Sequence, residues 1–152
     1  MKTKSLIAFL IMLFMSFNMV ASENQPTEDE VIKLYVATFN RAPDSGGLNY
    51  WLKDSGLNLS GIAESFFDQP ETKALYPDGT STENFVNSIY LNLFNRNSDN
   101  AGLNYWVTEL NNKKITRQTF IQTVINGALD DDSKILENKK FFSIFDYAIY
   151  EF

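Results

Sequence analysis

Residues 27–51, TEDEVIKLYVATFNRAPDSGGLNYW, align without a gap to residues 82–106, TENFVNSIYLNLFNRNSDNAGLNYW, fifty-five positions downstream, and thirteen of the twenty-five positions are identical. The identities include Val31/Val86, Tyr35/Tyr90, Arg41/Arg96, Asp44/Asp99, Gly47/Gly102 and Trp51/Trp106, whereas Lys33-Leu34 against Ser88-Ile89 and the segments after each Trp have diverged. Retention at some positions beside divergence at their neighbours marks residues that do the same work in both copies. The chain must therefore build one supersecondary unit twice.

The first half of each copy reads as an amphipathic helix. Val31, Leu34, Tyr35, Thr38 and Phe39 fall at i, i+3, i+4, i+7 and i+8, and Val86, Ile89, Tyr90, Leu93 and Phe94 repeat the stripe. Thr27 with Glu30 forms a capping box, and Ser81 or Thr82 caps the second start. Each helix is expected to end near Arg41 or Arg96, enforced in the first copy by Pro43. Asp44 and Asp99 then stand where an N-cap accepts the exposed N–H groups of the next turn.

Gly47 and Gly102 lie in that turn and are expected to let the helix approach another backbone closely. Leu48, Trp51 and Leu52, and Leu103, Trp106, Val107 and Leu110, form the expected buried stripe of the second helix. Arg41 and Arg96, three residues before each Asp, are expected to bridge to it across the turn.

A third helix follows each hairpin. In the first copy it carries Ile62, Ala63, Phe66 and Phe67 and is ended by Pro70; in the second it carries Phe120, Ile121, Val124, Ile125 and Ala128. The stretch ALYPDGTSTEN reads as a linker between units at 27–69 and 82–129. No period-two strand pattern is present. The closing segment reads as a further helix over 131–150, capped by its Asp run. Its Ile135, Leu136, Phe141, Phe142, Phe145, Ala148 and Phe152 exceed one stripe, so this aromatic face either clamps the halves together or stays exposed for a partner or a second copy.

The N-terminal 22 residues read as a secretory signal peptide: Lys2 and Lys4 precede an apolar run at 6–15, and Ala21 and Ser22 offer small residues for cleavage. The alternative, an uncleaved anchor, needs the run to continue through Phe17 to Val20 despite Ser16 and Asn18. The remainder, 23–152, is one domain's worth of chain and holds no Cys, so its stability must come from packing. Formal charge is −6, and the leader contributes two lysines and no acid. Such a surface repels a phosphate backbone, and no basic run exceeds Lys113-Lys114 or Lys139-Lys140, so nucleic acid is not expected as a partner.

The stretches LYVATFNRAPDSGGLNYW and IYLNLFNRNSDNAGLNYW, with the closing GALDDDSKILENKK, resemble the bacterial domain-of-unknown-function 4214 family. More distantly, the Arg-x-x-Asp-x-x-Gly-Leu-x-Tyr-Trp core is similar to the helical linker domain of phycobilisomes. The resemblance covers nearly all of the chain after the leader. It implies an all-α fold and a place among exported and cell-surface bacterial proteins, often beside calcium-binding toxin-type repeats; in the linker relatives the fold serves protein assembly. No catalytic residues come with the family.

The residues themselves also restrict chemistry. Without His or Cys, the usual zinc sites, Ser-His-Asp triads and Cys-His dyads cannot be built. A carboxylate pair such as Glu64 and Asp68, one turn apart beside Phe66-Phe67, leaves a glycan hydrolase as the alternative function, and it requires a cleft joining two acids about 5 to 10 Å apart. Asn95, Asn97 and Asp99 alternate as in a calcium loop, but Asn100 replaces the needed Gly, Trp106 stands where the bidentate Glu belongs and Ala42 breaks the pattern in the first copy. Turn and capping chemistry accounts for them better, and no metal or cofactor is expected.

Asn49-Tyr50 and Asn104-Tyr105 are the candidate ligand-binding residues. On a helix Tyr50 lies about two hundred degrees from Leu48, so it either faces solvent, ready to stack on a sugar, or lies over a neighbouring helix.

The expectation is thus an all-α single domain of about six to seven helices, two similar helix-turn-helix units plus a C-terminal helix. Its expected role is that of a secreted or periplasmic, non-catalytic binding or assembly module recognising a protein or glycan at the cell surface. It would meet the membrane only through the leader, with self-association through the C-terminal aromatic helix left open.

Overall fold

The computed structural model describes residues 25–149, with side chains described to Phe142. The signal-peptide reading at 1–22, and the expectations for Phe145, Ala148 and Phe152, lie outside the described residues. The described chain is all helical and contains no strand: α1 (Glu28–Phe39), α2 (Ser45–Asn49) continuing as a π-helical turn (Tyr50–Asp54), α3 (Leu59–Asp68), α4 (Pro70–Leu75), α5 (Thr82–Phe94), α6 (Asn100–Asn111), α7 (Arg117–Asn126) and α8 (Asp130–Ile149).

Helix α1 begins at the capping box: Glu30 N–H donates to Thr27 Oγ1 at 3.3 Å and Thr27 N–H to Glu30 Oε2 at 2.8 Å. Three acids in its first turn favour the positive end of the helix dipole. At α5 the cap is Ser81, whose hydroxyl accepts the Asn84 N–H at 3.2 Å. Both helices end the same way, on Asn40 and Asn95 in the left-handed conformation with φ 53° and 57°. Asn tolerates that geometry better than any other residue except Gly, which explains why the repeat keeps Phe-Asn-Arg.

The stripe expected on α1 is too narrow. From Val31 to Phe39 every residue except Lys33 is buried, so α1 is a central helix enclosed on nearly all sides. It packs against α5, α7 and α8 and against its own unit's α3 and α4. Asn92 of α5 donates Nδ2 to Ala37 O at 2.9 Å, and the hydroxyl of Tyr76, just after α4, donates to Thr38 O at 2.9 Å. Phe66, Phe85 and Phe120 are fully buried around this axis.

Two further expectations need correction. Pro70 does not merely stop α3: it starts α4, where the missing N–H costs nothing at the first helical position. The expected linker from Ala74 therefore holds the last residues of a helix and a buried tyrosine, Tyr76, whose phenol burial pushes up to about 12. In the first copy the second helix is not continuous α-helix, because Ser55 N–H reaches Tyr50 O at 2.8 Å and closes a wider turn. In the second copy the same stretch runs as regular α-helix through α6.

Helix α8 is more than an added clamp. It follows α7 as α4 follows α3, and it lies against both α1 and α5. Its own Leu136 is buried and its Ile135 half-buried, while Phe141 and Phe142 are exposed. Polar contacts do much of the holding. Lys139 donates to Asn92 O at 2.5 Å and Leu91 O at 3.2 Å in the last turn of α5, and burial lowers the pKa of its ammonium.

Candidate ligand-binding site

Each repeated turn is assembled from local hydrogen bonds. Asp44 Oδ1 accepts the Gly47 N–H at 2.7 Å, and Asp99 Oδ1 accepts the Gly102 N–H at 2.7 Å, so both aspartates are N-caps. The glycines do not make room for another backbone as expected. A Cβ on Gly47 would lie 2.9 Å from the Tyr35 hydroxyl and 3.3 Å from the capping carboxylate; on Gly102 it would lie 2.9 Å from Ser98 Oγ. The space they preserve is taken by polar side-chain atoms, the Tyr35 hydroxyl of α1 and the Asp44 carboxylate at Gly47, and Ser98 and Asp99 of its own turn at Gly102.

The arginines do not bridge to those aspartates. Arg41 donates Nε and Nη2 to Glu71 at 2.8 and 2.7 Å, and Arg96 donates the same pair to Asp132 at 2.9 and 2.5 Å. Each also gives Nη1 to the carbonyl of the next residue, Ala42 or Asn97, and lies over two rings, Tyr35 and Phe39 or Tyr90 and Phe94. The caps already occupy the aspartates, and the planar fork finds a better bidentate match in the first turns of α4 and α8. The hydrogen bonds from Arg41 hold the Glu71 carboxyl below its ordinary range.

The tryptophans join the two ends of the motif. Trp51 Nε1 donates to the Tyr35 hydroxyl at 2.9 Å, and Trp106 Nε1 to the Tyr90 hydroxyl at 3.1 Å. Trp51 is buried, Trp106 only half-buried, and Leu48, Leu52, Leu103 and Leu110 are half-buried against the core. Burial raises the Tyr35 pKa, so its phenol stays protonated.

Tyr50 is 49 % exposed and Tyr105 57 % exposed, each standing edge-on to its neighbouring tryptophan with centroids 4.9 and 4.8 Å apart. Asn49 and Asn104 are exposed beside them, and Asn49 Oδ1 accepts from Lys53 at 2.9 Å. Each copy thus presents an amide, a ring and a hydroxyl to solvent. Tyr50 stands on the π-helical turn of the first unit and Tyr105 on α6 of the second.

Glu64 and Asp68 are exposed on α3. The apparent calcium spacing is absorbed by other roles: Asn95 ends α5 and Asp99 caps α6. Among the described residues no cluster of three or more acids is placed to hold a metal, and no helix is long and apolar enough to cross a membrane.

Sequence reasoning missed Glu71 and Asp132. The signal available was positional: each acid sits in the first turn of the helix that follows the third helix of its unit, where a carboxylate is favoured and within reach of the repeated arginine.

No curated protein and no solved structure matches the chain. Residues 63–128 match the family model described as Domain of unknown function (DUF4214). That span runs from within α3 to just past α7 and takes in the second copy's Arg96, Asp99, Gly102 and Trp106, so it is this stretch of the chain that is similar to the DUF4214 family.

Proposed function

We propose that the protein is an exported, non-catalytic binding module, secreted or periplasmic, that recognises a glycan at the bacterial cell surface. The carrying observation is the twofold exposure of a Tyr ring flanked by Asn, at Tyr50 and Tyr105, in otherwise capped and packed helices. An aromatic face stacks on the apolar side of a sugar while the hydroxyl and the amide meet its hydroxyls. Two such faces on one body favour repeated ligands, because the second contact forms at high effective concentration.

The test is binding of the purified chain to immobilised surface polysaccharide. Tyr50→Ala or Tyr105→Ala is expected to weaken binding roughly three- to tenfold, and the double variant by more than either. Equal binding by the double variant overturns this reading. Export is tested separately by cell fractionation with and without residues 1–22.

A second reading, a protein partner in the form of another copy, is favoured by Phe141 and Phe142, exposed rings in edge contact on α8. Light scattering checks it: Phe142→Ser is expected to shift a dimer toward monomer.

A further inference from the structure

The repeat sets up two matched junctions between the units, and they are filled differently. Where α5 meets the first unit, Phe85 is fully buried against Phe67 of α3, with ring centroids 6.1 Å apart, and against Tyr76 after α4, at 5.2 Å. The fifty-five-residue offset puts Glu30 of α1 in the place of Phe85. The N-caps Asn58 and Thr116, which start α3 and α7, put Ile125 in the place of Phe67. The matched acids Glu71 and Asp132 put Glu137 in the place of Tyr76.

Glu30, Ile125 and Glu137 line one cavity of about 280 Å³ between α1, the start of α3, α7 and α8. Three rings close the first junction; two carboxylates and an isoleucine leave the second open. Its walls reach solvent, since Leu59, Ile125 and Ala128 are half-buried and Glu30 and Asn126 exposed. Small-ligand pockets begin at about 300 Å³, so the space suits one small group.

The groups around it are not equally committed. Asp29 and Glu137 are each paired with both Lys33 and Lys140. Glu30 forms no ion pair among the described residues; its Oε2 accepts from the Thr27 N–H and hydroxyl, and Oε1 and a negative charge are left over. The Asn126 amide and the Ser133 hydroxyl also line the cavity, and neither has a hydrogen-bond partner among the described residues.

We propose that this cavity is a site for a primary ammonium group carried on a short aliphatic stem. An ammonium has three N–H donors and no acceptor, and Glu30, Asn126 and Ser133 offer three uncommitted oxygens on one cavity. The Glu30 charge disfavours an anion, while Leu59, Ile125 and Ala128 give methylene groups an apolar wall. None of the residues of the glycan reading takes part.

The experiment titrates the purified chain with n-butylammonium and follows the NMR amide signals of Asn126, Ala128 and Ser133, which are expected to shift saturably. Tetramethylammonium, charged but without N–H, and n-butanol, a stem without charge, are expected to bind at least about tenfold more weakly. Glu30→Gln keeps a capping-box partner for Thr27 and removes the charge, and is expected to weaken n-butylammonium about tenfold. Ile125→Phe installs the ring that stands at the matching place in the first copy and is expected to abolish binding without lowering the thermal midpoint. If that midpoint falls, Ser133→Ala decides, with binding expected to weaken about three- to tenfold. Cadaverine and Nα-acetyl-lysine N-methylamide separate the sources: tighter binding of the first assigns a free diamine, of the second a polypeptide lysine, and either upholds the site. Tetramethylammonium binding as tightly as n-butylammonium overturns the ammonium reading. Shifts unchanged by both Glu30→Gln and Ser133→Ala, or no saturable shift with any amine, overturn the site.

Discussion

Arg41 spans the first unit to pair with Glu71, two parallel hydrogen bonds of 2.8 and 2.7 Å between residues thirty apart, and Arg96 pairs with Asp132 in the same way at a separation of thirty-six. The pairs identify α4 and α8 as equivalent elements, although one has 6 residues and the other 20. Each arginine ties the end of its unit's first helix to the start of the fourth. Both side chains of each pair are partly exposed, so the stability at stake is modest.

Arg41→Ala is therefore expected to cost about 1 kcal/mol, combining a solvent-screened ion pair with loss of the cation from the Tyr35 and Phe39 rings. Arg41→Lys should recover less than half of this, because an ammonium cannot form the fork. Urea unfolding of the variants measures both, and a lysine variant as stable as the parent would show that the fork itself contributes nothing.

Replacing Asp44 or Asp99 with Ala removes an N-cap and is expected to cost about 0.5 to 2 kcal/mol, while Ser or Asn should retain most of the stability. Equilibrium denaturation of the three variants at each site checks the order. A cap that tolerates Ala as well as Ser would rule out the local hydrogen bond as the reason for the repeat.

Adjacent glycines are expected to respond oppositely. A Cβ on Gly46 meets only Asp44 Oδ1 at 3.4 Å, so Gly46→Ala should be neutral or stabilising by up to about 1 kcal/mol through helix propensity. Gly47→Ala drives a methyl against the Tyr35 hydroxyl at 2.9 Å and should destabilise. In a double-mutant cycle Tyr35→Phe should relieve part of that penalty, giving a coupling of about 0.5 kcal/mol or more. Strict additivity would place the penalty elsewhere.

Four charges close a ring between α1 and α8. Lys33 pairs with Asp29 at 2.9 Å and Glu137 at 2.6 Å, and Lys140 pairs with Glu137 at 2.5 Å and with Asp29. Hydrogen bonds from Lys140 and Lys33 lower the Glu137 pKa; at Asp29 burial opposes the same bonds, and they prevail. Both carboxyls are thus depressed in the folded state, so their contribution is complete above about pH 5 and drains away as pH falls through the folded values, below about pH 4. Lys140 is shifted upward by Asp29 and Glu137, and its contribution is present below about pH 10 and lost above. Glu137→Gln is expected to cost about 0.2 to 1 kcal/mol at pH 7 and to flatten the stability profile between pH 5 and about pH 3. Unfolding curves across that range, in low and high salt, check it; a variant that parallels the parent would remove the ring from the acid response.

Much was legible from sequence because it is local. Thr27 with Glu30, Asp44 with Gly47 and Asp99 with Gly102 are three residues apart, so composition and spacing alone determine which side chain reaches which N–H. The solvent-facing side of Tyr50 and Tyr105 was likewise open to inference from helical geometry, as one of two alternatives.

Tertiary structure decided what depends on residues far apart. Arg41 had a nearby carboxylate at Asp44, yet that group was already engaged by Gly47 N–H, and the choice of Glu71 needed α4 folded back into place. The enclosure of α1 on nearly every side required both units at once. Sequence by itself determined the N-caps and the helical hairpins, since these follow from hydrogen bonds within one turn and from helical periodicity. Only the packed chain decided the partners of the arginines and the near-complete enclosure of α1, because both depend on helices far apart in sequence being brought together.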